Sequence, residues 1–156
     1  NPCPCGYHGD ATRECRCTGA IIQRYLAKIS GPLLDRIDLH IEVPAVAFKE
    51  MRASEGGASS AEIRAWVEEV RALQRARGYY NAHIPVRLLR RLCRLDEAGE
   101  RTLEMAVRRL GLSARAHDRI LKVARTIADL AGEESVTAKH LAEAIQYRTL
   151  DRDYWS

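Results

Sequence analysis

The sequence predicts a mainly helical chain, a bundle of helices preceded by a small α/β remnant. Three observations lead there. From about residue 59 onward, apolar residues recur at spacings of three and four, and each run is bracketed by residues that cap helices. Upstream, one stretch, Asp38-Leu39-His40-Ile41-Glu42-Val43, alternates polar and apolar residues and stops at Pro44, which is a strand pattern. That strand stands alone, and a lone strand cannot satisfy its own backbone groups, so its sheet partners are expected N-terminal to Asn1. The chain also starts on Asn1 rather than methionine, and it reads as a piece or processed product of something longer.

Taken in order, residues 1–18 carry Pro, Gly and Cys at short intervals without an apolar period and predict a loop. Residues 19–29 place Ile22, Tyr25, Leu26 and Ile29 on one helical face. Ser30-Gly31-Pro32 breaks the chain, and Pro32 suits the start of a short turn over Leu33 to Arg36. The glycines of Ala53–Ala58 mark a junction. Ser59 and Glu62 then fit a capping box, in which a hydroxyl and a carboxylate three residues on satisfy two orphan amides. The helix behind it groups Ile63, Trp66, Val67, Val70 and Leu73 on a face expected to turn inward, and it fades at Gly78.

Four further helical stretches follow. One starts near Pro85 with Leu88, Leu89 and Leu92. The next runs from Asp96 to Leu110, with Leu103, Ala106, Val107 and Leu110 inward and Gly111 as its stop. Ser113 caps the third, whose inward face is Ile120, Val123, Ala124, Ile127 and Leu130. Thr137 caps the last, with Leu141, Ala144 and Ile145 buried. Short connections between these runs fit a compact bundle. The predicted organisation is therefore 1–45 as the end of an α/β core with a Cys-rich loop, 46–58 as linker, and 59–156 as the helical domain. The first ~45 residues have little apolar support of their own and are expected to be loosely held unless a metal pins the loop.

The net charge of +4 is unevenly placed: residues 1–58 carry seven basic and seven acidic side chains, and the remainder 18 and 14. The excess is nearly all arginine, which suits planar contacts to carboxylate or phosphate but is too small to demand a nucleic-acid partner. No apolar run approaches the ~18–20 residues of a membrane span, and no secretory signal opens the chain. A reducing cytoplasm is the expected setting, with metal binding or free thiols favoured over disulfides.

Four of the five cysteines fall in the first 17 residues, as Cys3-x-Cys5 and Cys15-x-Cys17. Two close pairs on facing arms of a loop can supply four soft ligands to a structural zinc, with His8 able to replace one sulfur. The alternative is a set of reduced thiols lining a loop. Cys93, in a leucine-rich helix, reads as a small core residue. Arg36, at the edge of a short rigid turn, could reach the phosphate of a neighbouring subunit's nucleotide, or pair with Asp35 or Asp38. Arg115, in the first turn behind the Ser113 cap, adds positive charge to a helix N-terminus that favours anions; a solvated arginine is the alternative. Arg119 and Arg125 are further phosphate-contact candidates. His40, His83, His117 and His140 are scattered and read as ordinary surface or core residues. No G-x-x-x-x-G-K-[ST] stretch is present, so these 156 residues hold no phosphate cradle of that kind.

NPCPCGY at 1–7, KISGPLLDRIDLHIEVP at 28–44, LGLSARAHDRILKVARTIADL at 110–130 and HLAEAIQYR at 140–148 resemble, in that order, the C-terminal part of magnesium-chelatase-like AAA+ ATPases. The nearer branch is the one linked to DNA branch migration in natural transformation; magnesium chelatases themselves insert a metal into a porphyrin. The resemblance implies that residues 59–156 are a helical lid following the end of an AAA+ core. It implies a parent that binds ATP and Mg2+, pairs this piece with an N-terminal AAA+ core, assembles as a homo-oligomer, a hexameric ring, and acts on DNA. It makes Asn1 the sensor 1 residue, Arg36 the arginine finger and Arg115 sensor 2. Two other expectations stay open: a non-enzymatic zinc-loop and helical module that binds DNA or protein, and a chelatase subunit acting on a tetrapyrrole.

Overall fold

The computed structural model describes residues 1–10, 12–41, 43, 46 and 56–148. It divides into two compact units, one holding described residues 1–37 and the other 38–148.

In the first unit, helix α1 spans Gly19–Leu26 and the one-turn helix α2 spans Gly31–Leu34. Ser30 caps α2 by accepting from the Leu33 amide at 3.3 Å, and Gly31 rather than Pro32 opens the helix. Ile22, Tyr25 and Leu26 are half-buried, as the periodicity predicts, but Cys3 is the one buried side chain among the unit's described residues. Among its described residues this unit has no hydrophobic core to speak of.

The second unit is the predicted bundle. Helix α3 runs Ser60–Arg77, a 3₁₀ turn covers Asn81–His83, and α4 (Val86–Leu92), α5 (Glu97–Leu110), α6 (Ala114–Leu130) and α7 (Ala138–Gln146) follow. The capping box forms as read: Ser59 Oγ accepts from the Glu62 amide at 3.3 Å, and the Ser59 amide donates back to Glu62 Oε2 at 2.7 Å. Gly78 and Gly111 close α3 and α5 in the left-handed region, at φ 93° and 60°, which explains glycine at both stops. Helix α6 is the hub, packing against α7, the 3₁₀ turn, α4 and α3, while α7 also packs on α5. The core is Ile84, Leu89, Cys93, Leu103, Ile120, Leu121, Ala124, Ala128, Val136, Leu141 and Ala144. At ~1.5–3 kcal/mol for each large apolar side chain fully buried, this set provides the main stabilising term of the unit.

Three expectations are corrected. Among the described residues of 38–43 no strand forms. The His40 amide donates to the Tyr147 carbonyl at 2.8 Å, while Ile41 and Val43 are exposed. No described segment offers a partner ladder, and a single extended segment without one is not a strand. Among the described residues, then, no strand of an α/β remnant is seen. The face of α3 was expected inward, but Ile63, Trp66, Val67 and Leu73 are exposed, and Gln74 is the residue of that helix that is buried. The bundle engages α3 at its C-terminal end, so the shared face is right and its burial is not. Leu130 is likewise exposed at the end of α6, where Leu121 and Ala128 take the inward places.

Candidate functional site

The Cys-rich loop folds through its own hydrogen bonds. The Gly6 amide donates to the Cys3 carbonyl at 3.1 Å, making the tight turn of the first arm, with Gly6 at φ 84°. Asp10 Oδ1 then gathers the Thr12 amide and hydroxyl, both at 2.7 Å, and the Arg13 amide at 3.0 Å. Those donors hold the Asp10 carboxyl below its usual range. Arg13 donates to the Tyr7 hydroxyl at 2.6 Å and lies over its ring. Tyr7, Asp10, Thr12 and Arg13, between the cysteine pairs, are thus linked by polar contacts outside the sulfurs.

The sulfurs themselves converge. Cys3 Sγ lies 3.3 Å from Cys5 and 3.7 Å from Cys15, and Cys5 lies 3.6 Å from Cys15. With Cys17 the four Sγ atoms fall within 4.8 Å of one another, a group that could hold a metal ion. None is in a disulfide. His8, exposed, is outside the group. The thiols are unequal. A backbone donor from Tyr7, helped by the Cys3 thiol, brings Cys5 down to about 6. For Cys15, a backbone donor from Cys17 is outweighed by desolvation and the adjacent thiols, which push it up to about 12. Cys17 is raised by the same competition, a backbone donor from Cys5 being overcome.

Asn1 is exposed, and its side chain lies beside the Gly6 turn: a Cβ added to Gly6 would sit 4.0 Å from Asn1 Cγ. Arg36 is exposed just past α2 and donates to the Pro32 carbonyl at 2.5 Å. Of its expected acidic partners, Asp38 is engaged by Arg119. Asn1, the cysteines and Arg36 belong to the first unit and Arg115 to the second. Arg115 is exposed at the second position of α6, behind the Ser113 hydroxyl, which accepts from the Ala116 amide at 3.1 Å. A guanidinium beside a capped helix N-terminus is suited to meeting an anion.

Arg125 is withdrawn as a contact candidate. It is 2% exposed, donates to Asp129 through Nε at 3.0 Å and to the Glu133 and Glu134 carbonyls at 2.5 Å each. Sequence reasoning missed the network it belongs to. Asp129 also takes two bonds from Arg77, at 2.6 and 3.1 Å, and one from Asn81 at 2.7 Å. The Gln74 side-chain oxygen receives the Asn81 amide at 3.1 Å. Burial alone would raise the Asp129 carboxyl, but the bonds from Arg77 and Asn81 and the charge of Arg125 hold it below its ordinary range. The signal in the sequence was Arg125 and Asp129 at i, i+4, which also fits a solvated pair. His140 is a buried structural histidine: its Nδ1 accepts the Thr137 amide at 3.1 Å, where Glu or Gln would complete a capping box. Cys93 is buried as expected, its thiol pushed up to about 11 by burial.

Compared with known families, residues 57–148 match the model described as magnesium chelatase, subunit ChlI C-terminal, and residues 1–51 that of magnesium chelatase, subunit ChlI. The chain belongs to the magnesium-chelatase family. The boundary between the two models falls at residues 51–57, within the predicted linker. Among the family's curated members, competence protein ComM of Haemophilus influenzae is 44% identical over 154 residues, which is 97% of this chain and 30% of that protein. YifB of Escherichia coli is 39% identical over 158 residues, with the same coverage. Rv2897c of Mycobacterium tuberculosis is 39% identical over 153 residues, 95% of this chain and 30% of its own length. The chain thus spans about a third of the relatives it matches, and corresponds to the family's C-terminal part. No helix among the described residues is long and apolar enough to cross a membrane.

Proposed function

We propose that this chain is the C-terminal part of a cytoplasmic AAA+ ATPase that works on DNA as a homo-oligomeric, hexameric motor, with branch migration in natural transformation as its task. The observation that carries the reading is the 44% identity to a competence protein across 97% of the chain, taken with both family matches. ATP and Mg2+ belong to the parent's N-terminal AAA+ core; the residues here offer no P-loop to cradle them. This chain's own contribution is three polar groups. Asn1 would orient water near the γ-phosphate. Arg36 would meet the nucleotide of a neighbouring subunit. Arg115 would bring the helical lid toward bound phosphate, an attraction that its place at the α6 N-terminus reinforces. The short bond from Arg36 to Pro32 is at the helix surface and is readily exchanged for a charge-assisted one to phosphate.

The test is Arg36→Ala in the full-length parent. ATP turnover of the assembled ring is expected to fall about 10³-fold or more, with assembly intact by light scattering; unchanged turnover would end the assignment. The cysteine cluster favours a second reading, a non-enzymatic module that holds DNA or protein through a zinc loop and arginine-rich bundle. Salt-sensitive DNA binding by this chain alone would select it. The family's name favours a third, a subunit acting on a tetrapyrrole, and porphyrin-stimulated rather than DNA-stimulated ATP turnover would select that.

A further inference from the structure

A unit of about 40 residues rarely folds on apolar burial alone, and needs disulfides, a metal or a partner. The first unit has this problem: Cys3 is the one buried side chain among its described residues, and it has no disulfide. Its sulfurs nevertheless meet at one point. A tetrahedral zinc with four Zn–S bonds of about 2.3 Å holds its sulfurs about 3.8 Å apart. The separations here are 3.3, 3.6 and 3.7 Å, and all four Sγ atoms lie within 4.8 Å of one another. They are too far apart for S–S bonds and at the spacing of a tetrathiolate shell.

We propose that Cys3, Cys5, Cys15 and Cys17 form a structural zinc site that clamps the two arms of the loop over residues 3–17. The four sulfurs fill the tetrahedron, so no position is left open for water or substrate, and the metal's role is architectural. Zinc binds without change of oxidation state, and each coordinating thiol releases its proton to solvent. Thiolate ligands and tetrahedral geometry select zinc over the hard cations Mg2+ and Ca2+. His8 takes no part. The clamp fixes the Gly6 turn, and with it the segment on which Asn1 stands. The site is independent of the ATPase reading, since it needs nothing beyond this chain.

The experiment uses the 156-residue chain, expressed with zinc, desalted, and measured for metal by inductively coupled plasma mass spectrometry. The stripped and reduced chain is then titrated with Co2+. One zinc per chain is expected, together with the visible and near-ultraviolet bands of tetrahedral thiolate-bound cobalt. Cys3→Ser and the double variant Cys15→Ser/Cys17→Ser should lose about tenfold or more of the bound zinc, while His8→Ala keeps it. Because the cysteines lie outside the helical unit, circular dichroism of the bundle reports whether each variant is folded. Wild-type chain with less than about a tenth of an equivalent of zinc and no cobalt bands would overturn the proposal. So would iron with an iron–sulfur spectrum, or loss of metal in His8→Ala but not in the cysteine variants.

Discussion

Asp129→Asn tests whether the buried network, and not apolar packing alone, holds α3 and the 3₁₀ turn to the hub helix. The carboxylate receives four donations, two from Arg77, one from Asn81 and one from Arg125. Asparagine keeps one carbonyl oxygen, which can satisfy at most two of them, and its amide points further hydrogens at donors. Arg125, 2% exposed, would keep its carbonyl partners but lose its counter-charge. Removing one member of a buried ion pair costs about 3–5 kcal/mol. Against a total of about 5–15 kcal/mol, that is a large share of the stability of a unit of this size. The corresponding fall in Tm is on the order of 10–25 °C. Urea unfolding followed by far-ultraviolet circular dichroism measures the free-energy loss, and thermal unfolding the fall in Tm. Arg77→Ala provides the internal comparison. The Arg77 side chain is 20% exposed, and without it Asp129 still has Arg125 and Asn81, so about 1–3 kcal/mol is expected. A loss below about 1 kcal/mol for Asp129→Asn, or a larger loss for Arg77→Ala, would refute the network's role.

The same carboxylate sets an acid limit. Its folded-state pKa is lowered, so its stabilisation is fully present above the unfolded value of about 3.9 and is lost as pH falls through the lower folded value. Urea midpoints measured from neutral pH down should drop in that window, and Asp129→Asn should remove this part of the slope. Gly99→Ala should destabilise the bundle even though alanine favours helix by about 1 kcal/mol. Its Cβ would sit 3.1 Å from Asp96 Oδ1, the cap that receives the Gly99 amide, and 3.2 Å from Leu141 Cδ1. Overpacking of that kind costs about 1–3 kcal/mol, so a net loss of about 1 kcal/mol is expected; a raised urea midpoint would contradict it.

The helices were legible because their ends are written in local chemistry. Ser59, Asp96 and Ser113 each take the amide three residues on, and Gly78 and Gly111 stop their helices where only glycine is unstrained. Burial was less legible, because periodicity says which residues share a face and not what covers it. Ile63, Trp66, Val67 and Leu73 do share a face, yet they are exposed because the bundle meets α3 near Gln74 and Arg77. The strand pattern at 38–43 gives no strand among its described residues for a related reason: alternation expresses a preference for a sheet, and a sheet is made by partners. The buried network went unread because its two halves, Gln74 to Asn81 and Arg125 to Asp129, meet only across 48–52 residues of chain, where no local pattern joins them.

The candidate sites divide along the same line. The cysteine cluster is complete within 15 residues, so spacing could nominate it and the structure could test whether four sulfurs reach one point; they do. The phosphate-contact arginines cannot be judged in that way. A guanidinium that acts on another subunit's nucleotide must be exposed and lightly bonded in its own subunit, which is how Arg36 stands, but so does many a solvated arginine. Exposure therefore fails to discriminate for Arg36 and Arg115, whereas burial decided Arg125 at once. A site lying within one loop carries its geometry with it. A site assembled between subunits would acquire its geometry only in the proposed ring, and turnover measured on such a ring would separate a finger from an ornament of charge.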